Sequence, residues 1–328
     1  MKRVAIAVAA LIASFSILSG TALAQAKPKI VVFTKNVTNP FWKAVRIGAD
    51  KAGKELGADI EHAAPTKPDN IEEQTRLVED WIVRKPAAMV FVPVDFKALV
   101  PSIQKVNKAG IPVVVLNNRM TDVEFVTYVG SDDETIGYEI TKYLIKQIGG
   151  KGKIVHIDGV PAAITAQNRK KGLERALKEH PQVELLASQP GNYRRLPAVQ
   201  VFENLMQRFP QIDGVVCAND DMAVGVAEAL ASAGRGGKTK VVGIDAIPDG
   251  AAAILAGKMQ ASADFSGHDQ GYLATVAAIR HLRGEKMPKD IQLPVMIVEK
   301  ANAKPWTMPV EDKPVPDWNK VVAAQKKL

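Results

Sequence analysis

From Lys29 onward, short β-branched and apolar runs alternate with longer stretches in which apolar residues recur at three- and four-residue spacing. The short runs predict strands at 30–34, 59–63, 88–93, 112–116, 153–158, 183–188, 214–218, 240–244, 260–264 and 293–298. Most are apolar throughout, as expected of strands buried on both faces. Strands that alternate with amphipathic helices predict parallel sheets with helices on both sides.

The helix starts carry their own signals. Asn39-Pro40 offers a side-chain acceptor at the cap and proline at the first helical position, and Phe41, Trp42, Val45, Ala49 and Ala52 then follow at helical spacing until Gly57. Asp69, Asp132 and Asp220 are placed to cap later helices. The strand–helix series breaks near Val129-Gly130-Ser131-Asp132, then again near Phe265 and Leu293. Three breaks predict two doubly wound parallel-sheet lobes joined by a multi-crossover hinge. The first lobe takes residues 27–131 and 266–293, and the second takes 132–265 and 294–303. Residues 304–328 are expected to form a C-terminal tail, and prolines at 305, 309, 314 and 316 predict that it runs extended over a surface before a short helix or a frayed end.

The first residues do not fit this alternation. Lys2 and Arg3 precede an apolar run from Val4 to Leu18, and small residues follow up to Ala22-Leu23-Ala24. This order predicts a signal peptide over 1–24, with a cut after 26 fitting equally well. The run is interrupted by Ser14, Ser16, Ser19 and Gly20, and it falls short of the roughly 20 residues a span requires. The mature chain is expected outside the cytoplasm. Its one cysteine, Cys217, has no internal partner and sits in the apolar run Val215-Val216-Cys217-Ala218, so a buried strand residue is expected there.

Composition narrows the partners. A chain that is 47% hydrophobic and 24% charged can fill two cores. The formal charge of +8 falls to +6 (8 − 2) without Lys2 and Arg3, and the basic residues are interspersed with acidic ones along the helices. That is a solvated surface, and no nucleic-acid partner is expected.

Ligands of open parallel sheets bind beyond the carboxyl ends of the strands. The polar and aromatic residues at those ends are Asn39, Phe41 and Trp42 after the first strand, Asp95 after the third, and Asn117, Asn118 and Arg119 after the fourth. In the second series they are Tyr193, Asn219 and Asp245, with Phe265 at the return crossing. Asn and Asp pair with neighbouring hydroxyls, Arg presents a rigid fork of donors, and aromatic faces cover the C–H face of a ring. A site dense in such groups selects a ligand dense in hydroxyls. Asn39 reads both as a cap and as a contact, and Asp220 reads as a cap. Phe41 and Trp42 are neighbours on one helix, so one of them is a candidate core residue. Asp245 is the strongest candidate, because a carboxylate after an apolar strand is costly unless paired.

An enzyme is not indicated. Gly234-Arg235-Gly236-Gly237-Lys238-Thr239 ends like a phosphate-binding loop, but Ser232 stands at its first glycine and a helix precedes it. The five histidines are dispersed, and no metal or cofactor is expected. His268 follows Phe265 and reads either as a residue approaching the crevice or, the favoured reading, as a solvent-satisfied residue at a helix start.

Thr38-Asn39-Pro40-Phe41-Trp42, Ala109-Gly110-Ile111-Pro112-Val113, Ala218 to Gly225 and Val242 to Gly250 occur in one order along the chain. Together they resemble the periplasmic sugar-binding proteins of the ribose-binding type, whose fold is shared with the sensory domains of the lac repressor family. The resemblance implies a type I periplasmic binding protein that closes on a sugar or polyol and acts as a monomer with an ABC permease of the inner membrane. A sensor that presents a sugar or an autoinducer-like furanose to a chemoreceptor or membrane kinase is the alternative. By motif position the implied contacts include Asn39, Phe41, Trp42, Tyr193, Asn219 and Asp245. The family often has Asp-Arg where Asn117-Asn118-Arg119 stands here. Its second-lobe arginine falls on Gln167, with Arg169 two positions on, and Phe265 replaces a common glutamine. These departures argue against assuming ribose.

Overall fold

The computed structural model describes residues 26–325, so the segment expected to be a signal peptide lies outside the described residues. The first lobe is built on β1 (Lys29–Phe33), β2 (Asp59–Ala63), β3 (Ala88–Phe91), β4 (Val113–Leu116) and β5 (Thr127–Gly130). They are interleaved with α1 (Pro40–Leu56), α2 (Ile71–Arg84) and α3 (Val100–Lys108). After the first crossing come α4 (Asp133–Gln147), β6 (Gly152–Asp158), α5 (Ile164–Glu179), β7 (Val183–Pro190), α6 (Arg195–Arg208), β8 (Gly214–Cys217), α7 (Asp220–Ser232), β9 (Lys240–Ile244), α8 (Pro248–Leu255) and β10 (Ala261–Asp264). The chain then returns through α9 (Gly267–Leu282) and β11 (Asp290–Gln292), crosses again to β12 (Met296–Glu299), and ends in two 3-10 turns and α10 (Trp318–Gln325).

Two six-stranded sheets result, ordered β11-β5-β4-β3-β1-β2 and β12-β10-β9-β8-β6-β7. Every pairing is parallel except β10 with β12. The single strand expected at 293–298 is instead the crossing itself. β11 ends at Gln292, Leu293-Pro294-Val295 carries the chain across, and only 296–298 of the expected strand falls in β12. Proline cannot donate to a ladder, so the break falls there.

Successive strand residues face opposite helical layers. Ile30 and Val32 meet Val45 and Ala49 of α1 and Leu273 and Val276 of α9, whereas Val31 and Phe33 meet Trp81 of α2 and Ile103 of α3. In the second sheet Ile154 and Val216 face Ile140 and Leu144 of α4, while Val155, Val215 and Cys217 face Phe202 of α6 and Met222 of α7. Cys217 is buried, as its apolar run predicts.

The caps differ from expectation in two places. Asn70 and not Asp69 caps α2, accepting from Glu73 N at 2.7 Å, because Asp69 is held left-handed at φ 59°. Asn219 and not Asp220 caps α7, accepting from Met222 N at 3.1 Å. Asp132 caps α4 as expected. Each displaced aspartate is buried or half-buried for another purpose.

Candidate functional site

The loops at the carboxyl ends of both sheets meet at an interlobe cavity of about 30 Å³. The first lobe lines it with Lys35, Asn36, Asn39, Phe41, Trp42, Asp69 and Asn117. The second contributes Thr165, Arg169, Tyr193, Asn219 and Asp245, and Phe265 enters from the crossing between β10 and α9.

The start of α1 is set by two side chains. Asn36 Oδ1 accepts from Asn39 N at 2.9 Å and Thr38 N at 3.2 Å, and Asn39 Oδ1 accepts from Phe41 N at 2.9 Å. Pro40 needs no donor at this position. The turn presents both aromatics to the cavity: Phe41 and Trp42 pack edge to face at 4.9 Å and both line it, so neither is confined to the core. Phe41 also stacks on Phe265, centroids 4.9 Å apart and planes at 25°. The Arg169 guanidinium lies 4.9 Å from the Phe265 ring and 5.9 Å from Tyr193, so a wall of aromatic faces and one cation runs from lobe to lobe.

Arg169 is fixed by two bonds, Nε to Asp133 Oδ1 and a terminal nitrogen to Ala218 O, both 2.8 Å. Burial alone would lower its pKa, but Asp133, Tyr193 and Asp245 outweigh burial and raise it. The cation is permanent, with N–H groups to spare. Tyr193 stands on a left-handed backbone at φ 57°, its hydroxyl 3.0 Å from Thr165 Oγ1. Any side chain at Gly159 would collide with the Tyr193 ring, so that glycine gives the ring its place. Asn219 donates to Tyr193 O at 3.3 Å while capping α7.

Three charged groups in the cavity are not so satisfied. The Lys35 ammonium is pushed down in pKa by burial, against nearby Asp69. Asp69 and Asp245 are both pushed up by burial, with Lys35 and Arg169 respectively opposing the shift. Charge and burial set these shifts, and none of the three side-chain ends has a hydrogen-bond partner among the described residues.

Nine of the residues singled out from sequence line the cavity: Asn39, Phe41, Trp42, Asn117, Arg169, Tyr193, Asn219, Asp245 and Phe265. Four lie elsewhere. Asp95 folds back to accept from Lys97 N and Ala98 N, both at 2.8 Å. Asn117 takes a left-handed backbone at φ 61°, so the chain turns as it leaves β4 and the next two side chains diverge. Asn118 turns into the lobe and donates to Pro93 O at 3.3 Å. Arg119 stacks on Tyr128 and pairs with Asp290 of β11. Gln167 faces outward on α5 and donates to Pro161 O at 3.0 Å, leaving Arg169 to enter the site. His268 is buried and bonded to Asp269 at 2.9 Å, not satisfied by solvent.

Lys35, Asp69 and Thr165 were not anticipated. Lys35 and Asn36 sit just past β1, so the strand-end rule already pointed at them. Asp69 was hidden behind its reading as a cap.

Two parallel-sheet lobes, crossed three times by the chain and closing facing polar and aromatic side chains around one cavity, define a two-lobed solute-binding protein. The chain belongs to the periplasmic binding protein family, whose domain profile matches residues 30–286. It is 30% identical over 299 residues to the ribose import binding protein of Escherichia coli K12, covering 90% of this chain and 99% of that one. It is 32% identical over 255 residues to the D-allose-binding periplasmic protein of the same organism, covering 75% and 81%. A periplasmic solute-binding protein of an ABC transporter from Actinobacillus succinogenes 130z, solved with bound D-allose, superimposes with TM-score 0.81. It is 32% identical and covers 85% of this chain and all of that one.

Proposed function

We propose that this protein is the exported, periplasmic solute-binding component of an ABC importer. It captures one small sugar or polyol between its lobes, delivers it as a monomer to an inner-membrane permease, and catalyses no reaction. The observation that carries this reading is the cavity itself. Lys35 from one lobe and Asp245 from the other are buried and Asp69 is half-buried, all three facing the cavity with no side-chain hydrogen bond among the described residues, beside a wall of Phe41, Phe265 and Tyr193. Buried charges of this kind are costly unless something supplies the missing bonds. A neutral molecule with several hydroxyls both donates and accepts, so it satisfies ammonium and carboxylate alike, and its C–H face suits the aromatics. The ribose- and allose-binding relatives support the same class of ligand.

Hinge closure supplies the mechanism. A ligand that touches both lobes has a lower free energy in the closed form than in the open one, and the difference drives closure. Lys35, Asn39, Asp69 and Asn117 hold one side of the ligand, Arg169, Asn219 and Asp245 hold the other, and the aromatic wall keeps water out. The reading of residues 1–24 as an export signal supports the periplasmic location.

A thermal-shift panel of pentoses, hexoses, polyols and furanoses on the mature protein tests this. A ligand at a hundred times its dissociation constant stabilises by about 2.7 kcal/mol. No shift with any hydroxyl-rich compound, beside a clear one with amino acids, would overturn the proposal.

A further inference from the structure

Asp245 reaches the cavity from an unusual backbone. Its φ is 114° and that of Ala246 is 49°, both in the region that side-chain-bearing residues avoid. Such conformations are strained and persist only where the surroundings over-determine them. Here three consecutive amides are held. Asp245 N donates to Ala263 O at 2.9 Å, Ala246 N to Ser262 Oγ at 2.9 Å, and Ile247 N to Asp220 Oδ2 at 3.0 Å. The Ser262 hydroxyl donates its own proton to Asp220 Oδ1 at 2.7 Å, so one carboxylate anchors both of the last two amides, one directly and one by relay.

The rest of the surroundings make room for this carboxylate. Asp220 is fully buried, and a side chain at Gly243 or Gly250 would collide with one or other of its oxygens. Burial pushes its pKa up to about 8, against the donors Ser262, Ile247 and Ala246. A buried carboxylate is a poor choice for stability alone. Its oxygens are spent on the loop that carries Asp245, and none of its hydrogen bonds reaches the cavity.

We infer that Asp220, acting through Ser262, is a positioning residue that holds residues 245–247 in the conformation that aims the Asp245 carboxylate at the ligand. This inference rests on the reading of Asp245 as a ligand contact. It accounts for an aspartate that neither caps a helix nor lines the cavity.

The test is a double-mutant cycle read by calorimetric titration with D-allose and D-ribose. Asp220→Asn keeps the shape but replaces one acceptor oxygen with a donor, and Ser262→Ala removes the relay alone should the first variant fold poorly. Each is expected to weaken binding about tenfold or more. Added to Asp245→Asn, either should cost little further, because the contact it serves is already gone. A full additive loss, or unchanged affinity in both single variants, would overturn the inference. Crystal structures of the same variants separate this from the ligand assignment. If neither sugar binds the wild type, Ala246 reverting to negative φ in the variants still supports the positioning role, and an unmoved 245–247 segment defeats it.

Discussion

Arg169 and Asp133 form an ion pair at 2.8 Å with both side chains less than a tenth exposed, and this pair fixes the cation that faces the interlobe cavity. Asp133 lies in the first turn of α4 and Arg169 on α5, so the pair also bolts two packed helices together. Asp133→Asn would leave the guanidinium uncompensated, a change that typically costs about 3–5 kcal/mol when the pair is buried. Urea denaturation should register that loss. Replacing both residues, as Asp133→Leu with Arg169→Met, should recover part of the stability while ligand capture stays lost. A single variant within about 1 kcal/mol of wild type would mean that the charges are not coupled.

Lys35 offers the opposite balance of stability and binding. Its ammonium is buried and has no hydrogen-bond partner among the described residues, so the apo protein bears a desolvation cost there. Lys35→Met keeps the stem and removes the charge. The apo protein should be as stable as wild type or more so. Affinity for the cognate sugar should fall by about 1.5–3 kcal/mol, the range for a hydrogen bond to a charged group. Equal affinity in the variant, measured by titration, would place Lys35 outside the contact set.

His156 sets an acid limit. It is 1% exposed on β6, hydrogen-bonded to Ser188 at 3.0 Å, and burial pushes its pKa down to about 3. Between about 3 and the ordinary 6.5 the unfolded chain binds a proton that the native state refuses. The stabilising contribution is therefore complete above pH 6.5 and is lost as pH falls toward 3, at about 1.4 kcal/mol per pH unit. The buried carboxylates of Asp220 and Asp245, with raised pKa, act with the opposite sign. A comparison with His156→Gln cancels them. Between pH 6.5 and 4 the wild type should lose more stability than the variant, and parallel curves would contradict the burial argument.

The alternation of strands and helices was readable because eight of the twelve strands are buried over most of their length, which leaves an apolar run with no competing interpretation. The strand-end rule found the site for the same reason, since polar residues there have few other uses. It failed where local geometry redirects a side chain. Asn117 takes a left-handed conformation, and that one dihedral sends Asn118 into the lobe and Arg119 to Asp290. Asp69 and Asp220 look like caps because each adjoins a helix, yet an asparagine beside each takes that role. A one-residue shift between cap and neighbour is set by backbone dihedrals, and composition does not encode it. The break at 293–295 was legible only as a proline in an apolar run.

The tail beyond β12 links the lobes a fourth time, and this should affect release. Ala303 is buried with the second lobe's core, and the Trp306 indole donates to Asp264 at 2.9 Å. The chain then reaches α1, where Lys51 donates to Lys313 O at 2.5 Å and Lys43 pairs with Glu311 at 3.1 Å. Val315, Trp318 and Val321 pack against the core cluster that contains α1 and α9, and Gln325 exchanges two bonds with the Gln292 backbone. The exposed ion pair is worth little, so the apolar docking carries the link. Contacts made only when the lobes are close favour the closed form and slow its opening. Truncation after residue 303 should speed ligand release several-fold to about tenfold, a shift of about 1 kcal/mol in the closing equilibrium. Stopped-flow release of D-allose reads the rate, and small-angle scattering of the ligand-free protein reads the lobe separation. Unchanged release together with an unchanged radius of gyration would mean that the tail rides on the hinge without acting on it.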